Sequence, residues 1–192
     1  MSLFSSLYQK TLQWAQHPKA PWYLGGISFA ESSFFPIPPD VMLMPMALAK
    51  PQQAFRYAWI TTLFSLLGGL LGYAIGYWLL DVIWPLIESL NYVDKFRQVE
   101  DFFAKYGVWI VFAAGFSPIP YKLFTISAGA TGMALLPFIV ASFVGRGARF
   151  FLVAWIMKIG GERYEDKIRQ WIDWLGWLVV ALIVMYLAVK LL

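Results

Sequence analysis

Five ionisable residues stand inside long apolar stretches of this 192-residue chain: Glu31, Asp40, Lys122, Arg146 and Arg149. A charge at membrane depth costs at least ~2.5 kcal/mol on insertion scales, so each is a candidate for function by default. Arg146 and Arg149 are three positions apart and share one helix face, with Gly145 and Gly147 leaving room beside them. Guanidinium forks suit phosphate oxygens. Lys122 follows two prolines, where a broken helix exposes backbone amides that also favour anions, and Tyr121 beside it offers a substrate a hydroxyl. An unpaired carboxylate in low dielectric holds its proton, which makes Glu31 and Asp40 candidate proton carriers. Together these residues point to an anionic, phosphate-bearing substrate whose movement is linked to protons. The structural alternative is that the acids and bases pair to fasten their segments together. Three bases against two acids then still leave one positive charge for a bound anion.

Composition places these charges in a bilayer. Hydrophobic residues make up 60% of the chain and charged ones 14%, against about 25% charged in soluble domains. The apolar segments are long enough for spans of ~20 residues and fill most of the chain, leaving one membrane domain over 1–192 and no soluble one. There is no cysteine, and the single histidine, His17, precedes Pro18 at a membrane edge as a turn residue. Without a thiol, a histidine–acid pair or a metal-ligand cluster, the sequence argues against an enzyme, a metal site or a cofactor. Nothing in it points to nucleic acid.

The elements that position the charges are unusual. Pro36, Pro38 and Pro39 interrupt the first apolar stretch, and Pro118 and Pro120 interrupt a later one. Proline lacks an amide hydrogen and pushes the preceding residue out of helical dihedrals, so no continuous helix runs through either motif. Broken backbone at membrane depth survives only where protein or a water-filled cavity covers it. The arms on each side of the first break are about half a bilayer long, which predicts a re-entrant hairpin; one kinked span is the alternative. The chain then reads as an amphipathic surface helix at 1–18 and a first repeat at 20–84. A charged surface linker helix at 86–106, a second repeat at 107–158 and a last transmembrane helix at 171–192 follow. Gly68, Gly72 and Gly76 make a flat stripe for close helix packing.

The two repeats match in detail. Pro36-Ile37-Pro38 is echoed by Pro118-Ile119-Pro120, and Ser65-Leu66-Leu67-Gly68 by Ser142-Phe143-Val144-Gly145. Each half is one hairpin plus one crossing, so the second half enters from the opposite face and the hairpins meet near the midplane, where secondary transporters keep their substrate. The expected fold is an all-α integral membrane protein built on this inverted repeat. With a cytoplasmic amino terminus, Lys10, Lys19, Lys50, Arg56, Lys158, Arg163, Lys167 and Arg169 lie inside, against Lys95, Arg97, Lys105 and Lys190 outside. That bias supports the orientation.

The run from Glu31 to Asp40, the glycine stripe, Pro118-Ile119-Pro120-Tyr121-Lys122 leading to Ala128-Gly129, and Gly145-Arg146-Gly147-Ala148-Arg149 resemble the DedA family, also called the SNARE-associated or VTT-domain family. The small YqaA-like branch is the nearest in character. The resemblance covers roughly residues 20 to 160. It implies a multi-pass bacterial inner-membrane protein with two facing re-entrant hairpins, a flippase for polyprenyl phosphate or phospholipid, often driven by the proton motive force. By motif, Glu31 and Asp40 match the family's acidic pair, and Lys122 falls near a common arginine. Another arginine common ahead of the second proline motif is absent, since Ala113 to Ser117 hold no base, and Arg146 and Arg149 are the candidates to supply that charge. The expected partners are membrane lipids, undecaprenyl phosphate among them, protons, and a second copy in a homodimer. The other functions in view are a proton- or cation-coupled antiporter of small ions and a non-transporting envelope assembly factor.

Overall fold

The computed structural model describes residues 17–33, 38–117 and 120–160, with single positions at 178, 181, 182 and 185. The described residues are helical almost throughout, with no strand among them. Six α-helices follow in order: α1 (Ala20–Ser33), α2 (Asp40–Ala49), α3 (Ala54–Ser89), α4 (Val93–Phe116), α5 (Tyr121–Ala130) and α6 (Leu135–Gly160). A 3₁₀ turn at Pro51–Gln53 leads into α3. That segment, Pro51–Ser89, and α6 are long and apolar enough to cross a membrane. By contrast α1, α2 and α5 hold 14, 10 and 10 residues, or ~21, ~15 and ~15 Å, short of a ~30 Å hydrocarbon core.

The breaks fall where proline chemistry demands them. Ser117, which precedes Pro118, is extended at φ −80° and ψ 164°, and Pro120 has ψ 106°, so α4 cannot continue into α5. Pro39, at φ −67°, opens α2, and Asp40 takes its first position, where a carboxylate faces the positive end of the helix dipole. Pro36 and Pro118 themselves lie outside the described residues, as do nearly all of the surface helix expected at 1–18 and of the last crossing expected at 171–192.

The linker expected at 86–106 is not a separate helix. α3 runs on through Pro85 to Ser89, Asn91 turns the chain at φ 56°, and α4 then continues unbroken from the charged stretch into the apolar one. Asparagine tolerates the left-handed backbone that this turn needs. Gly107, the one residue between the two stretches that favours a break, stays helical and packs against the Met133 sulfur.

The long helices α3 and α6 carry most of the packing. α1 lies along α3 and α4 along α6, while α5 packs on α3 and α2 on α6. α2 also touches α3, and the two long helices α3 and α6 pack against each other. The close approaches correspond between the halves. A Cβ on Gly68 would strike the Phe29 carbonyl, and a Cβ on Gly145 would stand 2.6 Å from the Phe112 carbonyl. Two apolar clusters result. One gathers Leu24, Leu43, Met46, Tyr57, Phe150 and Met157; the other gathers Val111, Tyr121, Ala128, Met133 and Phe138. Between them, α3 supplies Thr61, Thr62 and Ser65 and α6 supplies Ser142, Arg146 and Arg149, all buried.

Candidate functional site

Arg146 sits at the middle of α6 and reaches the end of α1. Its Nη2 donates to Glu31 Oε2, and to Ser32 Oγ at 3.3 Å, while its Nε donates to Ser65 Oγ at 2.6 Å. Ser32 and Ser65 are themselves joined at 2.7 Å, so three helices share one polar knot. The guanidinium also lies 4.9 Å from the Tyr121 ring and 4.6 Å from the Phe150 ring, where the aromatic quadrupole attracts a cation. Glu31 is 9% and Arg146 4% exposed. A charge pair this deep needs these extra hydrogen bonds, because desolvation offsets much of its Coulomb attraction.

One turn along the same face, Arg149 gathers the broken ends. Its Nη2 donates to Asp40 Oδ2 at 2.7 Å, at the start of α2, and its Nη1 to the Ser117 carbonyl at 2.6 Å, just past α4. That carbonyl belongs to the negative end of α4, so the cation answers a helix dipole as well as a carboxylate. Tyr121 completes the set: its hydroxyl bonds Ser142 Oγ and its ring underlies Arg146, which ties the start of α5 to α6. Two arginines therefore reach the inner ends of all four interrupted helices.

A VTT-domain profile matches residues 37–159, well over half of the chain. The chain belongs to the VTT-domain family. An uncharacterized protein of Haemophilus influenzae is 45% identical over 184 residues, covering 96% of each chain. One from Histophilus somni is 46% identical over 191 residues, covering 99% of this chain and all of that one. Undecaprenyl phosphate transporter A of Staphylococcus aureus is 43% identical over 49 residues, 26% of this chain and 24% of its own. No solved structure matches the chain.

In this VTT-domain protein four of the five charges foreseen from sequence meet in two ion pairs. Glu31 and Asp40, from opposite sides of the first break, meet the two arginines on one helix face. The two interrupted segments touch: Thr125 Oγ1, in α5, lies 3.4 Å from the Ser32 carbonyl at the end of α1. Lys122 takes the first turn of α5, half-buried, and its carbonyl accepts from Thr125 Oγ1 at 3.0 Å. Gly68 lets α1 approach α3, and Gly72 and Gly76 do the same for α5, where a Cβ would strike Thr125 Oγ1 and the Ile126 carbonyl. Pro38 is exposed and Pro39 buried beside Asp40. Ser32, Ser65, Ser142 and Phe150 also belong to the polar layer, and sequence reasoning gave them no role. The echo of Ser65 by Ser142 was the available signal: each sits three residues before a closely packed glycine, Gly68 or Gly145, and Ser142 lies one turn before Arg146 on α6 while Ser65 faces Arg146 from α3.

Proposed function

We propose that the protein is a membrane transporter of the flippase type, moving an anionic lipid, a polyprenyl phosphate or a phospholipid, between leaflets with proton coupling. The observation that carries this reading is the pairing of Arg146 with Glu31 and of Arg149 with Asp40 at the junction of the four interrupted helices. Phosphate oxygens compete with carboxylates for the same guanidinium forks. A phosphate that takes over an arginine leaves a carboxylate without its counter-charge, and in low dielectric that carboxylate takes up a proton. Substrate binding and protonation are then one exchange. Lys122 and Tyr121 stand at the start of α5 to complete the anion site.

The corresponding close approaches at Gly68 and Gly145 support an inverted repeat whose hairpins dip in from opposite faces. The excess of basic residues supports a cytoplasmic amino terminus in the bacterial inner membrane. The Staphylococcus aureus relative, named for undecaprenyl phosphate, supports a lipid phosphate as cargo. Reconstitution tests the reading. Liposomes carrying fluorescent undecaprenyl phosphate and ordinary phospholipids, under an imposed pH gradient, compare wild type with Glu31→Gln and Lys122→Ala. The expected result is flipping of anionic lipid that falls about tenfold or more in each variant, the scale of one lost charged hydrogen bond. Equal, slow flipping in all three defeats the proposal, and lost ion flux with intact lipid movement replaces it with an antiporter.

A further inference from the structure

The turn at Gly132 marks where the packed body ends on one side. At that level the Tyr73 hydroxyl donates to the Met133 carbonyl, and Gly107 packs on the Met133 sulfur. Past it α3 runs on to Ser89 and α4 returns from Val93, and no residue from Tyr77 to Phe102 is buried. The two arms hardly pack on each other; Trp84 meets Phe96 edge-on at 5.8 Å. Yet the hairpin is apolar. Trp78, Val82 and Leu86 recur every four residues on α3 and are 66%, 75% and 58% exposed, and Tyr92, Val99 and Phe102 are exposed on α4. Lipid tails do not reach most of this surface. α3 carries no charge over 57–80, 24 residues or ~36 Å, already enough for a ~30 Å hydrocarbon core. The hairpin from Asp81 onward therefore lies beyond the hydrocarbon, where an exposed apolar patch marks an interface.

The charges beside the two stripes say what fits them. Asp81 follows Trp78 by three positions and Glu88 follows Asp81 by seven, so acids edge the stripe on α3. Lys95 precedes Val99 by four positions and Lys105 follows Phe102 by three, so lysines edge the stripe on α4. Asp94, Arg97, Glu100 and Asp101 fall on other faces of α4. All four edge charges are exposed, and the ion pairs among the described residues both lie in the core. We propose that this hairpin docks a second copy of the chain, the acid-edged stripe of each copy meeting the lysine-edged stripe of the other. Such a contact is made twice about a twofold axis, here along the membrane normal. That axis keeps each residue at one depth in both copies, and the depths agree. Counted from Asn91, Glu88 stands 3 positions back and Lys95 4 on, and Asp81 10 back and Lys105 14 on. The larger mismatch, four positions or ~6 Å of helix, is within a lysine's reach. Charged edges beside an apolar seam are how helices choose partner and orientation. This surface supplies the contact for a homodimer and does not depend on what the protein carries.

The test counts copies in a bilayer. The full chain, dye-labelled through Gln52→Cys at the far end of α3, is reconstituted into liposomes at a low protein-to-lipid ratio, and single spots are followed as they bleach. The chain with native charges should bleach in two steps. Asp81→Lys/Glu88→Lys makes both stripes basic-edged and Lys95→Glu/Lys105→Glu makes both acid-edged, so each variant alone should bleach in one step. The dimer's dissociation constant should rise about a hundredfold in each, the scale of like charges brought face to face. Mixed together, one dye colour on each, the two variants should restore paired spots, because every basic edge again meets an acidic one. Single-step bleaching of the native-charge chain overturns the inference and leaves the hairpin to the lipid surface, to residues 171–192 or to another protein. Reversed variants that dimerise unaided, or that stay single when mixed, overturn the assignment to this hairpin. Should a reversed variant fail to fold, Leu86→Ser and Val99→Ser take its place, and two-step bleaching that survives in both overturns the assignment.

Discussion

Arg146 and Lys122 carry the same charge and should fail differently when removed. Glu31, Ser32 and Ser65 hold the Arg146 guanidinium beside the Tyr121 and Phe150 rings, so Glu31→Gln strands a buried cation. Taking one partner from a buried pair costs about 3–5 kcal/mol, and reversible unfolding of the detergent-solubilised protein should show a loss on that scale. The double variant Glu31→Leu/Arg146→Met should lose less than the sum of the single changes, because it removes both charges together. Lys122 is half-buried at a helix start, and Lys122→Ala should change stability by no more than about 1 kcal/mol while still impairing lipid movement. A stability loss for Lys122→Ala as large as for Glu31→Gln would make it a structural residue. The charges were legible in the sequence because a charge among apolar residues is costly and therefore conspicuous. Their pairing was not: Glu31 and Arg146 are 115 positions apart, and no local periodicity relates residues on different helices.

At the scale of helices, the glycines decide how closely the arms approach. A Cβ at Gly76 would meet the Ile126 carbonyl, and one at Gly129 the Tyr73 carbonyl, both backbone atoms that cannot swing aside. Gly76→Ala and Gly129→Ala should therefore each destabilise by roughly 1–3 kcal/mol, the range for overpacking. Gly26 has nothing within 4 Å of its Cβ position, and Gly26→Ala, in the middle of α1, should be neutral or slightly stabilising, since alanine favours helix. Thermal unfolding of the three variants side by side checks the contrast, and equal shifts would mean the contacts at Gly76 and Gly129 yield. The stripe was visible as a four-residue period, but Gly129 lies outside it and its contact depends on which helix faces it. The continuity of α4 was hidden for the opposite reason. A switch from charged to apolar residues resembles a boundary, yet only a residue that breaks the helix makes one, and the turn at Asn91 comes before the charges instead of after them.

For the molecule as a whole, the hairpin reading and the kinked-span reading place the same loops on opposite sides of the membrane. If the first interrupted segment is re-entrant and the amino terminus is cytoplasmic, the turn at Pro51–Gln53 faces the cytoplasm and the end of α3 near Ser89 faces outside. A kinked full span reverses both, and the turn at Gly132 faces outside in either case, so it serves as an internal control. The chain has no cysteine, and Gln52 and Ser89 are exposed, so single cysteines at these positions report without interference. Gln52→Cys should react with a membrane-impermeant maleimide only in inside-out vesicles, and Ser89→Cys only in right-side-out ones. The lengths of α1, α2 and α5 favour that outcome, since none of them spans a hydrocarbon core alone. The packing favours it too. α2 lies on α6 and α5 on α3, so each second arm is covered by the long helix of the other half, as irregular backbone within a bilayer requires. Labelling of Gln52→Cys from outside would place the first break in a through-going span, and the two acids would then no longer belong to a hairpin that meets its counterpart from the opposite face.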